Sequence, residues 1–228
     1  SFRRGKLVEQ PTTLENMSKA VYSEESKRWR FVQTLDWTRS FGKHDLGALV
    51  GYEAIRNWGF NTDMAKQGAA DASLTDLSTY TELSNITGTT WENTSRSFFG
   101  RLTYAYKSRY LFEVNARYDG SSRFAPESRW GFFPSFSGGW RVSEESFMQG
   151  SPFDNLKIRL SWGKLGNNSI GDYEWQATYS GSNYIFGDKL TSGLAQTVIA
   201  NQKLRWESVT QTNIGLDLGF FGNRINAV

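Results

Sequence analysis

Cysteine is absent from the 228 residues, which excludes disulfides and thiolate metal sites and leaves the redox compartment unmarked. Proline is scarce, at 4, so long extended runs can proceed without losing ladder donors. No apolar stretch approaches the roughly 18–20 residues that a transmembrane helix needs. Charge of one sign is missing too. The 26 basic and 23 acidic residues are interspersed and leave a net charge of only +3, so no nucleic-acid partner is expected. No phosphate-cradling loop or metal-ligand spacing occurs, so no cofactor is expected either. The sequence opens on Ser1 with no leader pattern, and Arg224 to Val228 reads as a strand left unfinished. The chain is therefore expected to be an excerpt of a longer one.

What is present is alternation. From Trp29 the odd positions read Trp29, Phe31, Gln33, Leu35, Trp37, Arg39 and Phe41. The even positions between them are Arg30, Val32, Thr34, Asp36, Thr38 and Ser40. One face of such a strand meets an apolar medium and the other a polar one. The pattern restarts after Gly42-Lys43-His44-Asp45, and again on both sides of Lys107-Ser108-Arg109. About eight strands are expected, over about 27–41, 45–58, 96–107, 110–119, 131–142, 155–165, 205–220 and 224–228. Short turns alternate with long connections at about 59–95, 120–130 and 166–204, which are rich in Gly, Ser, Asn and Thr. Within 143–154 a helical turn is expected, capped by Ser143 with Glu144 and Glu145 near its start.

Three features favour a membrane over a soluble sheet. The runs are about 10–15 residues long, whereas soluble strands typically have about 5–6 and a tilted bilayer crossing needs about 9–11. Aromatics such as Trp29 and Phe41 stand near the ends of the apolar faces, as interfacial girdles do. The opposite faces are too polar for a dry core. Arg39 and Arg56 break the apolar face, both near expected strand ends. The fold class is thus all-β, an antiparallel transmembrane β-barrel segment crossing the outer membrane several times.

The same strands carry familiar motifs. Phe99-Gly100-Arg101-Leu102 with Tyr104 and Tyr106 leads to Asp119-Gly120-Ser121-Ser122-Arg123-Phe124. Then come Trp130-Gly131-Phe132-Phe133-Pro134-Ser135 and Gly139-Trp140-Arg141-Val142-Ser143-Glu144-Glu145. Leu204-Arg205-Trp206-Glu207 and Gln211 to Asp217 follow. This series resembles SusC/RagA-type TonB-dependent transporters from about residue 27 onward. The resemblance implies a barrel of about 22 strands with a plugged lumen, of which about a third is here. It further implies a plug domain outside this chain, an N-terminal TonB-box segment also outside it, a SusD-like lipoprotein lid, outer-membrane lipid around the barrel, and nutrient uptake of a glycan or peptide in Bacteroidota.

Catalysis finds little footing, and the chain is not expected to be an enzyme. His44 is the only histidine and sits in an expected turn, where a Ser-His-acid site gains nothing from it. Asp172 and Glu174 are close in sequence, but a polar loop makes them solvated charges rather than a glycosidase or calcium pair. Glu113, Asn115, Arg117, Lys157, Arg159 and Asp217 are expected to face the lumen, most of them against the plug. Trp91, Tyr173, Trp175, Tyr179, Tyr184 and Phe186 are expected in loops. There they either stack on sugar rings or peptide side chains, or pack against other loops and the lid; packing is the preferred reading. Asp119, Arg123 and Trp130 flank the second long loop, where Asp119 and Arg123 are expected to pair. The alternatives are a self-contained small barrel with a structural role, whose interior side chains would fill, and a soluble glycan-binding all-β module.

Overall fold

The computed structural model describes residues 3–4, 17–69, 71 and 73–227. Among them no α-helix occurs; four 3-10 turns interrupt a β structure. The strands are β1 (Arg3–Arg4), β2 (Ser18–Phe41), β3 (His44–Ala69), β4 (Tyr80–Tyr106), β5 (Tyr110–Ser121) and β6 (Trp130–Arg141). They continue with β7 (Phe153–Asn167), β8 (Thr178–Phe186), β9 (Lys189–Val198), β10 (Glu207–Phe220) and β11 (Ile225–Ala227). The order in the main sheet is β1-β2-β3-β4-β5-β6-β7-β10-β11, a meander with two open ends and no closure among the described residues. The expected strand that would finish at 228 is described only to Ala227. β8 and β9 form a separate hairpin.

The chain divides into two compact units, residues 1–29 with 56–93, and residues 30–55 with 94–228. In the second unit the register is continuous. Leu102 pairs with Val114 and Val114 with Phe136, while Phe136 pairs with Trp162. Trp162 in turn opposes Thr212. All but the last are apolar, and they are solvent-facing, from Val114 at 37% exposed to Leu102 at 61%. The opposite face carries Arg101, Asn115, Ser135 and Gly163 in the same row. A tight turn joins β4 to β5. Lys107 and Ser108 adopt φ of 52° and 53°, the mirror-image turn whose twist suits a hairpin.

In the first unit, β2, β3 and β4 continue well beyond the expected spans. The strand expected from 27 begins at Ser18, that expected to stop at 58 runs to Ala69, and that expected from 96 starts at Tyr80. The reason is compositional. Lys19, Ser23, Glu24 and Glu25, or Thr87, Thr89, Thr90 and Asn93, carry no alternating apolar face, so their strand character rests on ladder pairing rather than on period. Trp29 accordingly lies well inside β2, not near its start. Arg56 lies mid-strand in β3, where a carboxylate and not a strand end accommodates it: Glu92 accepts from its Nε at 2.9 Å and from a terminal nitrogen at 3.0 Å. A small core of Met17, Ala69 and Tyr80 closes this unit.

Two further local expectations are corrected. The 143–154 connection holds two 3-10 turns, Val142–Glu144 and Ser146–Met148, with no side-chain cap at either. Ser143 sits inside the first, its hydroxyl buried without a partner among the described residues. The third long connection is not loop throughout, since Thr178–Val198 forms the β8–β9 hairpin.

Candidate functional site: a charged wall and its packed rim

In the second unit, alternation sends every second side chain to one polar face. On it, Glu53 is 9% exposed and is shared between two arginines. Arg30 Nε donates to Glu53 Oε1 at 2.6 Å, and Arg117 lies 3.5 Å from Glu53 Oε2. Arg117 also grips Asp119 at 3.0 Å and stacks over the Phe99 ring at 5.3 Å. Phe99 lies so close to Gly51 that a Cβ there would meet its ring, so glycine permits the rings and charges to share one surface. Further along the face, Asn115 donates to Glu113 at 2.8 Å, and Arg159 holds Asp217 at 2.6 Å. Glu113, Lys157 and Arg159 line an open concavity of about 930 Å³ on this face.

All six expected wall residues lie on this one face, Asn115, Arg117 and Asp217 sharing it by register. Arg30 and Glu53 complete the cluster. Glu53 was legible as the polar member of an otherwise apolar stretch between Tyr52 and Ala54, but its two partners were not.

At the end of this face carrying the long connections, the motif residues fold into a packed knot. Phe124 is fully buried and meets Trp206 with centroids 5.3 Å apart. Trp206 lies 5.2 Å edge-on from Phe133 and donates its indole N–H to the Arg129 carbonyl at 2.9 Å. Pro134 explains the room they occupy. The β6–β7 ladder begins only at Ser135, because proline has no N–H to continue it. Gly131 and Gly166 then allow the Phe133 ring to lie where a Cβ would stand. Polar bonds close the knot, with Asn168 Nδ2 donating to Ser121 Oγ at 3.2 Å and Asn167 to Glu207 at 3.0 Å.

The expected Asp119–Arg123 pair does not form. Arg123 instead donates to Asp172 Oδ1 at 2.9 Å and to the Asn168 carbonyl at 3.3 Å, while Asp119 is taken by Arg117. The competing carboxylate arrives from a connection 49 residues away, which no local turn chemistry could announce. Trp130 packs outward, stacked on Tyr118 at 4.8 Å. Glu174 accepts from the Gly171 amide at 3.0 Å, while Asp172 accepts from Arg123.

The expected loop aromatics are dispersed. Trp91 is not in a loop but within β4, where its ring covers Gly59. Tyr179, Tyr184 and Phe186 are on β8, Tyr184 covering Gly193 and Phe186 75% exposed. Tyr173 turns the chain with φ of 66°, and the Trp175 indole nitrogen is buried without a partner among the described residues. His44 is the first residue of β3, its Nδ1 2.8 Å from the Tyr104 hydroxyl. Among the described residues no group of three or more His, Asp or Glu side chains gathers as a metal site.

A family model described as TonB dependent receptor-like, beta-barrel matches residues 4–228. The chain belongs to that family. Among TonB-dependent receptors, SusC of Bacteroides thetaiotaomicron is 36% identical over 197 residues, 84% of this chain and 19% of SusC. Receptor P3 of Formosa agariphila is 34% identical over 194 residues, again 84% of this chain and 19% of that protein. The structure of the RagAB peptide transporter superposes with a TM-score of 0.78 at 31% identity, covering 92% of this chain and 23% of that one. The chain thus spans about a fifth of the length of these TonB-dependent receptors, and it is a segment of the SusC/RagA type.

Proposed function

We propose that this chain forms part of the wall of an outer-membrane importer, driven through TonB, that admits a nutrient of the glycan or peptide class. The observation that carries the reading is the inversion of the sheet. Leu102, Phe112, Phe132 and Ile214 stand exposed on one face, while the opposite face carries ion pairs such as Arg117–Asp119 and Arg159–Asp217. Such an apolar face is costly in water and is satisfied by hydrocarbon. Trp130 and Trp140 end it on β6; ten residues rising about 3.4 Å each, tilted by about 40°, span roughly 25 Å of height. That matches the apolar band of an outer-membrane barrel.

Likeness to SusC and to RagAB supports transport rather than catalysis, and supports a SusD-like lipoprotein as partner at the end with long connections. A plug domain and TonB-box segment outside this chain would then meet Glu113, Asn115, Arg117, Lys157, Arg159 and Asp217. Tyr173, Trp175, Tyr179, Tyr184 and Phe186 would serve the lid or cargo side, with Asp119, Arg123 and Trp130 shaping the rim.

The test uses the full-length protein in cells. Arg117→Ala and Asp217→Ala are expected to impair nutrient-dependent growth while the heat-modifiable folded band on gels persists. Release of the protein from membranes without detergent would refute the reading outright.

A further inference from the structure

One concavity lies off the polar wall. It measures about 360 Å³, and its lining includes Ser95, Arg96, Ser122, Arg129 and the Trp130 ring, with no carboxylate among the described residues. Register fixes where it opens. Arg96 pairs with Gly120 and Gly120 with Trp130, so all three share the face of Phe98, Tyr118 and Phe132. Trp130 stacks on Tyr118 and lies 6.2 Å from Phe98, making an aromatic rim. Arg96 stands two residues, about 7 Å, beyond Phe98, at the end with long connections.

The charge there is unmatched. Arg117, Arg109, Arg159 and Arg123 of the same unit each hold a carboxylate. Arg96 and Arg129 have no ion-pair partner among the described residues, and Arg129 Nε is buried without an acceptor. The Ser122 hydroxyl already accepts from the Thr94 amide at 2.9 Å, which fixes its oxygen and leaves its proton for an outside acceptor. Two guanidinium forks and a pinned hydroxyl suit a phosphate monoester, whose oxygens take several charge-assisted bonds at once.

We propose that this concavity binds the phosphate of an outer-leaflet lipid headgroup. The inference rests on the membrane reading above, which sets the Phe98–Tyr118–Trp130 rim at the hydrocarbon boundary. Position selects a lipid over a soluble phosphate. The site opens beside exposed aromatic rings on the face that acyl chains cover, where a lipid headgroup and not a free solute is held in place.

The experiment titrates detergent-purified full-length protein with bisphosphorylated lipid A, with the same lipid dephosphorylated, and with glucose 1-phosphate. The phosphorylated lipid is expected to bind about tenfold more tightly than its dephosphorylated form. Arg96→Gln with Arg129→Gln removes that preference while the heat-modifiable band is retained. Should the double variant lose its fold, Arg96→Gln alone, at an exposed side chain, must still reduce the preference. Equal affinity for both lipids, or a preference that survives the substitutions, overturns the proposal. Glucose 1-phosphate binding as tightly as the lipid makes the source soluble and overturns it as well. A protein that needs no detergent and shows no heat-modifiable band overturns the membrane reading itself, an outcome distinct from the others.

Discussion

Arg123 Nε meets Asp172 Oδ1 at 2.9 Å and thereby ties the connection after β5 to the connection after β7. Both side chains are largely shielded, at 30% and 18% exposure. Removing the aspartate leaves a part-buried guanidinium held only by the Asn168 carbonyl.

Asp172→Ala in the full-length protein is therefore expected to cost about 1–3 kcal/mol locally and to open residues 168–176 to protease. Limited proteolysis with mass mapping reads it. The exchange Arg123→Asp with Asp172→Arg should restore part of the protection; equal cleavage in wild type and Asp172→Ala would refute the tie.

Phe124 is the fully buried ring of the knot. Its truncation to alanine removes a fully buried ring from Trp206 and is expected to cost about 3–5 kcal/mol. The folded band on unheated gels should collapse at a lower temperature than in wild type. A melting temperature unchanged by Phe124→Ala would show that the knot carries no stability.

Gly166 and Phe133 should be coupled. A Cβ on Gly166 meets the Phe133 ring, so Gly166→Ala is expected to destabilise by about 1–3 kcal/mol through overpacking. In a Phe133→Leu background the same substitution should cost clearly less, since residues in contact do not add. Strict additivity in this cycle would refute the contact.

The turn after β6 carries a pH signature. Hydrogen bonds from the Tyr110 hydroxyl at 2.6 Å and from the Trp140 indole at 3.2 Å hold Glu145 in its ionised form, with Arg109 beside it. Its pKa is lowered from the ordinary carboxylate range, chiefly by Tyr110. A lowered folded value means that the stabilisation is fully present above the unfolded value of about 4.3. It is lost as pH falls through the folded value. The protection of amides at 142–148, corrected for the intrinsic pH dependence of exchange, should be constant from pH 7 to about 5 and fall at more acid pH. Glu145→Gln should abolish that acid-side step; a step remaining in the glutamine variant would assign it elsewhere.

The parts of this fold governed by period two were readable in advance. Phe98 to Tyr106 and Tyr110 to Tyr118 alternate so regularly that face, turn and register follow from side-chain chemistry alone. The outer reaches of β2, β3 and β4 were not readable, because Thr, Ser, Asn and Glu populate strand and loop alike when neither face is apolar. The β8–β9 hairpin was hidden likewise, although Gly187 with φ of 61° turns it and Tyr184 on one strand covers Gly193 on the other. On the polar face, alternation put Arg117 and Asp217 on one side of the sheet but gave no partners, since the pairing of Arg30 with Glu53 depends on strand adjacency. At the rim, local turn chemistry named Asp119 for Arg123 and missed Asp172, a carboxylate delivered by tertiary structure.

Along the stretch from Arg30 through Glu53 and Arg117 to Asp119, two positive and two negative groups hold one another. Such a surface presents little residual field, so whatever packs against it is selected by shape and hydrogen bonding rather than by net charge.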